Sequence, residues 1–306
     1  MNPALLVGLD LGTTRVKAIV VDDTGTEVAA AEQPTPWSRS DAGTELDGAR
    51  LAGLVAEVAG RAAAEAGATT GGRVVGLGVT GMGEAGVLVD RADRPLTPVR
   101  AWYDQRADLA TIRAEIGEGR FHRTVGMRLD AQPSLPKILR LRTDYPGATA
   151  AVRFYSVPEW AVRALGARPV SELSLASRTG LLDVLTGTAW DAAADLLGAN
   201  LLGELVEAGA DVGRVGDQAH PALRGATLTV AGHDHQAAAL AADAADHGTL
   251  FNSLGTAEVL MRFTAGPVDR AVVGELAAAH VTVGRTVVPG HWSVNQGLSS
   301  GFVLER

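Results

Sequence analysis

The chain of 306 residues carries 35 acidic against 27 Lys and Arg side chains, a formal charge of −8, and has no cysteine. That balance argues against a nucleic-acid surface, which needs clustered Lys and Arg, and the missing thiols exclude disulfides, thiolate metal sites and a cysteine nucleophile. No stretch approaches the ~20 uninterrupted apolar residues of a membrane span, and the start lacks a basic signal-like region, so no membrane association and a cytoplasmic location are expected.

With 46% hydrophobic residues the chain can bury a sizeable core and is long enough for two domains. The first 32 residues read as three antiparallel strands, 4 to 9, 16 to 21 and 27 to 32, with "DDTG" as the second turn. Leu51, Leu54, Val55 and Val58 recur at helical spacing within 47 to 67, with Asp47 as N-cap and Gly67 as the stop. "RVVGLGVTG" (73 to 81) is a buried strand and "GVLVD" (86 to 90) another. Strands alternating with helices predict an α/β sheet covered on both faces.

Residues 104 to 210 read as mostly helical, with strands at 152 to 157 and 179 to 185. "ATLTVAGHDHQAAALAADAAD" is then a strand running into a helix, and "GTLFNSLGTAEVLMRFT" a glycine-centred hairpin like the first one. Two copies of one device predict two related domains facing a cleft, with the boundary near 245. Further strands are expected at 279 to 283 and 286 to 296.

Several segments could carry chemistry. In "LDLGTTRVK" the backbone at Gly12 can approach a phosphate closely, Thr13 and Thr14 add donors, and Lys17, one of two lysines in the chain, adds charge. Asp10 would hold Mg2+ through water. A plain hairpin with a capping aspartate explains the same residues. Asp234 in "GHDHQ" reads as a general base taking a hydroxyl proton, as a helix N-cap, or as a bystander to a metal-binding His233 and His235. Gly255 and Thr256 offer a second phosphate loop or a hairpin turn. Glu84 could accept hydrogen bonds from sugar hydroxyls. Trp102, Asp104 and Arg106 form either an aromatic plate beside a charge pair or a purely structural cluster.

In this order the segments "GLDLGTTRVKAIVVD", "GLGVTGMGEAGVLVD", "PLTPVRAWYDQRAD", "SLASRTGLLDVLTGTAWD", "AGHDHQAAAL" and "NSLGTAEVL" resemble the FGGY family of carbohydrate kinases. The resemblance spans essentially the whole chain. It implies the actin-like, ribonuclease-H-like ATPase fold, a mixed sheet flanked by helices, with residues 1–245 as the N-terminal domain and 246–306 as the beginning of a second domain of the same type, ending before the adenosine-binding segment. It implies an ATP- and Mg2+-dependent kinase acting on a sugar or polyol, a xylulose-like ketose first. Asp10, Gly12, Thr13, Thr14, Lys17, Gly255 and Thr256 would hold the nucleotide phosphates and Mg2+, and Asp234 would be the proton acceptor. Gly83, Glu84, Trp102, Asp104 and Asp234 would line the substrate site. Relatives often carry Met-His in xylulose kinases and Arg-Glu in glycerol kinases where this chain has Gly83 and Glu84. The alternative is a noncatalytic sugar-binding or interaction fragment of such a kinase. The last strands should leave an unpaired apolar sheet edge, so homodimeric or partner-dependent behaviour is expected.

Overall fold

Alternation of apolar and small or polar residues builds the opening strands. Strand β1 (Ala4–Leu11) buries Leu5, Val7, Leu9 and Leu11 on one face, and β2 (Arg15–Val21) buries Val16, Ala18 and Val20 on the same face. Strand β3 (Glu27–Pro34) completes an antiparallel meander. The structure is a computed structural model and describes residues 3–246, 248–254, 258–266 and 268–298.

Helix α1 (Gly48–Thr70) begins where expected, the Asp47 carboxylate accepting the Arg50 amide at 2.7 Å. It ends one turn later than the sequence suggests. Gly71, not Gly67, takes the left-handed conformation and returns its N–H to the Gly67 carbonyl. Gly67 stays helical because the extra turn is held by the Thr69 and Thr70 hydroxyls, which donate to the Glu65 and Ala66 carbonyls.

Strand β4 (Arg73–Gly81) pairs parallel to β1 on the side away from β2. The sheet is completed by β5 (Asp211–Arg214) and β6 (Thr227–His233), in the order β5-β6-β4-β1-β2-β3. Thus β1, β4 and β6 run side by side, and the register aligns Asp10 with Thr80, and Gly81 with His233. Open α/β sheets bind ligands at such carboxyl ends, where the backbone leaves the sheet and side chains converge.

One face of this sheet packs on α1 and on α4 (Val157–Leu165); the Trp160 indole N–H donates to the Gly48 carbonyl at 2.7 Å and ties the two helices together. The other face corrects the expectation of two covered faces. Leu6, Ile19 and Val75 are 42–47% exposed there, among glycines 8, 76 and 78. The chain between β4 and β6 does not return to that face but forms a second core with α2 (Glu118–Val125) and α3 (Ser134–Asp144), centred on Phe121, Leu135, Ile138 and Trp190. Strand pairing there joins Gly86–Val89 with Arg153–Ser156, within the strands expected at 86 to 90 and 152 to 157. The expected strand at 179 to 185 shrinks to Leu182–Asp183, because the Thr179 hydroxyl binds the Ala176 carbonyl and bends the chain.

After β6 comes α5 (Asp234–Ala241), then the expected hairpin of β7 (Phe251–Leu254) and β8 (Glu258–Ala265). Its tip, with Gly255 and Thr256, lies outside the described residues. Helix α6 (Arg270–Ala278), capped by Asp269, intervenes before β9 (Thr282–Arg285) and β10 (His291–Leu298), which shifts both strands from their expected positions. These strands form an antiparallel sheet in the order β7-β8-β10-β9. Its β9 edge is docked rather than free: the Val283 amide donates to the Gly126 carbonyl at 2.8 Å, and Val283 and Trp292 pack with Val184 of the first lobe. No helix among the described residues is long and apolar enough to cross a membrane.

Candidate active site

The carboxyl ends of β1, β4 and β6 open into a cleft of about 660 Å³, closed on its far side by Val259, Met261 and Asn295 of the second sheet. Asp10, Gly12, Thr13, Thr14, Lys17, Gly83, Glu84, Trp102 and Asp234 all line it. Asp104 does not. Its carboxylate grips the Arg106 guanidinium at 2.7 and 2.9 Å and accepts the Thr44 amide at 3.0 Å. Burial alone would raise its pKa, but the Arg106 contacts hold it below the usual value. The expectation that Asp104 contacts substrate is therefore corrected: its oxygens are spent on structure.

Residues 12 to 14 are shaped from behind. The Thr35 hydroxyl donates to the Gly12 carbonyl at 2.8 Å, the Trp37 indole N–H to the Thr13 carbonyl at 2.7 Å, and the Thr35 amide to the Thr14 carbonyl at 3.0 Å. A trans peptide places each N–H opposite the preceding carbonyl, so the Thr13 and Thr14 amides are turned away from residues 35 to 37. Successive amides presented this way attract anions. The turn is closed by the Gly12 amide on the Arg15 carbonyl, from which a Cβ at Gly12 would lie only 3.1 Å. Trp102 donates its indole N–H to the Thr13 hydroxyl at 2.9 Å, so it is wired to this loop as well as lining the cleft.

Asp10 carries one carboxylate oxygen with no hydrogen-bond partner among the described residues. Burial pushes its pKa up to about 6, the neighbouring Asp234 charge adds to the rise, and Lys17, opposite it on β2, partly offsets both. An acid so placed is short of positive charge, which suits a bound cation.

Asp234 is the first residue of α5, and His233 occupies the cap position, so the N-cap reading of Asp234 is set aside. A bulge between Val230 and Gly232 turns the end of β6. Gly232 has φ 89°, and a Cβ there would fall 2.4 Å from Val287 and 2.6 Å from the Ser174 hydroxyl, so only glycine fits. The Ser174 hydroxyl donates to Glu172 and accepts the His233 amide at 3.0 Å, fixing the backbone that leads into Asp234. Burial alone would raise the Asp234 pKa, but the neighbouring His233 and His235 side chains and the His235 amide outweigh it and hold the carboxyl well below its ordinary value. His235 itself is pushed down by burial, with Asp234 opposing. The two imidazoles stack at 5.5 Å, and His235 meets the Ser253 hydroxyl at 3.1 Å. Among the described residues no group of three or more His, Cys, Asp or Glu is arranged to hold a metal, which leaves the His233 and His235 metal pair without support.

At the other end of the cleft Glu84, buried and at φ 56°, accepts the Arg178 Nε–H at 2.7 Å, with Nη2 beside it, and the Gln132 amide at 3.3 Å. Lys137 is buried behind this wall, donating to the Ala131 carbonyl at 2.9 Å, the Trp102 carbonyl at 3.2 Å and the Gln132 carbonyl; burial lowers its pKa to about 8. Sequence reasoning missed Thr35, Trp37, Gln132, Lys137 and Arg178. The only signals were the rarity of lysine and a charged residue inside the apolar run "SLASRTGLL".

Residues 5–241 match the profile described as the N-terminal domain of the FGGY family of carbohydrate kinases. A glycerol kinase of Polaromonas sp. is 30% identical over 281 residues, covering 85% of this chain and 54% of that protein. A solved xylulose kinase from Rhodospirillum rubrum matches with TM-score 0.83 at 25% identity, over 96% of this chain and 60% of that one. The Plasmodium falciparum glycerol kinase solved with ADP gives TM-score 0.87 at 17% identity, over 99% and 63%. The chain thus spans a little over half the length of the curated relative.

Proposed function

Because this chain belongs to the FGGY family of carbohydrate kinases, we propose that it forms the catalytic cleft of a kinase that moves the γ-phosphoryl group of ATP to a hydroxyl of a sugar or polyol. Its fold is the actin-like ATPase fold, a mixed sheet with flanking helices and part of a second domain. On this reading residues 1–245 are the first domain and 246–306 the beginning of the second.

The observation that carries the proposal is Asp234, an anionic carboxylate at the end of β6 that faces the same cleft as Asp10 and the amides of residues 13 and 14. It would accept the proton of the attacking hydroxyl. Phosphoryl transfer asks little covalent chemistry of the protein, so a positioned carboxylate suffices. Asp10 would help to hold Mg2+, which would supply positive charge against the phosphates; its partnerless oxygen and raised pKa fit that role. Thr13 and Thr14 would receive the phosphates through their amides, with Lys17 adding charge and Gly255 and Thr256 completing the grip from the second domain.

For substrate, we place a short polyol ahead of the xylulose-like ketose suggested by the sequence. The curated relative quoted above is a glycerol kinase, and Glu84 has acquired an arginine partner. The test is Asp234→Asn in the complete protein. It should lower phosphoryl transfer by roughly 10²–10⁴-fold, the usual contribution of general acid-base catalysis, while calorimetry shows polyol binding retained. Turnover at the wild-type rate would remove Asp234 from the mechanism.

A further inference from the structure

Gly83 lacks a side chain at the buried end of the cleft, and its neighbours show what took the space. A Cβ at Gly83 would lie 2.7 Å from the His233 Cδ2, 2.9 Å from its Nε2 and 3.4 Å from the Arg178 Cγ. Those approaches are too close for any side chain while the imidazole is present. The His233 backbone is anchored through its amide on Ser174, and turning the ring away from Gly83 would give up the 3.0 Å approach of its Nδ1 to the Asp234 carboxylate. Both His233 and Arg178 are more than nine-tenths buried yet line the cleft.

The polar atoms left over point to a ligand. Arg178 commits Nε and Nη2 to one carboxylate oxygen of Glu84, but its Nη1 has no partner among the described residues. Leaving a buried guanidinium hydrogen unpaired is costly, so the arrangement is incomplete as it stands. The His233 Nε2, facing Gly83, supplies a third group. Together they offer an acceptor on Glu84, a donor on Arg178 and a ring nitrogen within one wall, beside the carboxylate of Asp234.

We propose that His233 and Arg178 stand in for the missing side chain at Gly83 and, with Glu84, form the recognition wall that selects a short polyol. The wall would engage the hydroxyls next to the one that Asp234 deprotonates. This rests on the kinase reading above and deepens it. The imidazole occupies the space beside Gly83 at one end of the cleft, where it would crowd a five-carbon ketose more than a three-carbon polyol. Gly83 and His233 form one unit, since a side chain at either position is compatible with only a small residue at the other.

Glycerol and D-xylulose serve as probes, with binding followed by calorimetry and turnover by phosphorylation in the complete protein. The wild type should prefer glycerol by roughly tenfold or more, the scale set by hydrogen-bonded groups in a small site. His233→Ala should raise the glycerol KM by about tenfold and bring the glycerol-to-xylulose ratio towards one. Gly83→Ala alone should lower glycerol affinity, and adding His233→Ala should recover stability and binding of xylulose. Arg178→Met should weaken glycerol binding; Arg178→Lys, which keeps the charge but loses the fork, should not rescue it. A merely structural role would move both probes equally, and an unchanged ratio in His233→Ala would overturn the inference while leaving the kinase reading intact. If the wild type bound neither probe, the inference would fall, while phosphorylation of another sugar would leave the kinase reading standing. Should the Arg178 variants not fold, the Gly83 and His233 pair decides the matter alone.

Discussion

At Asp10 function and stability pull in opposite directions. The folded carboxyl binds its proton up to about pH 6, whereas the unfolded chain releases it near 3.8. Between those values the native state holds more protons than the unfolded state, so stability is full at lower pH and falls as pH rises through this window. Two pKa units correspond to about 3 kcal/mol, and water in the cleft reduces that to about 1–3 kcal/mol. Asp10→Asn should therefore stabilise the chain by about that amount near neutral pH, with the difference closing below about pH 4. It should also abolish stabilisation by Mg2+-nucleotide. Thermal melts across pH, with and without Mg2+ and ATP, check both halves. A destabilised Asp10→Asn would mean that the carboxylate has a favourable partner in the fold.

Among the elements, the turn between β1 and β2 owes its shape to the segment after β3. Thr35 and Trp37 bind three successive carbonyls, and this orients the amides that face the cleft. Trp37→Phe removes one indole donor while keeping the ring, so the Thr13 carbonyl loses its tether. The expected result is an ATP KM raised several-fold, on the order of the 1–2 kcal/mol of a lost hydrogen bond, with the polyol KM unchanged. Kinetics with each substrate varied in turn would show it; a change confined to the polyol would assign the segment elsewhere. The bulge at Gly232 does the equivalent work for β6, turning the strand so that His233 and Asp234 leave it towards the cleft.

Across the whole molecule the central sheet is one-sided within the described residues. Val74 lies in the core at 2% exposure and its neighbour Val75 is 42% exposed on the bare face. Val75→Thr should change stability by less than about 0.5 kcal/mol, while Val74→Thr buries an unpaired hydroxyl and should cost about 1–3 kcal/mol. Denaturant midpoints would read the contrast, and equal costs would mean that both faces are packed. The second sheet packs on the first lobe through Val184, Val283 and Trp292.

The sequence by itself determined what local periodicity and local chemistry can fix. The strand alternation of residues 4 to 32, the Asp47 cap, the buried strand at 73 to 81, the strand-to-helix junction at Asp234 and the hairpin near 254 all follow from spacing and turn residues close in the chain. Only the tertiary structure decided which polar groups meet. Asp104 was drawn away from the cleft by Arg106, Arg178 was brought to Glu84 across 94 positions, and His233 was seated against Gly83. Helix and strand periods constrain neighbours a few residues apart, whereas a site assembled at the ends of three parallel strands depends on register and crossover, which leave no pattern in any single segment.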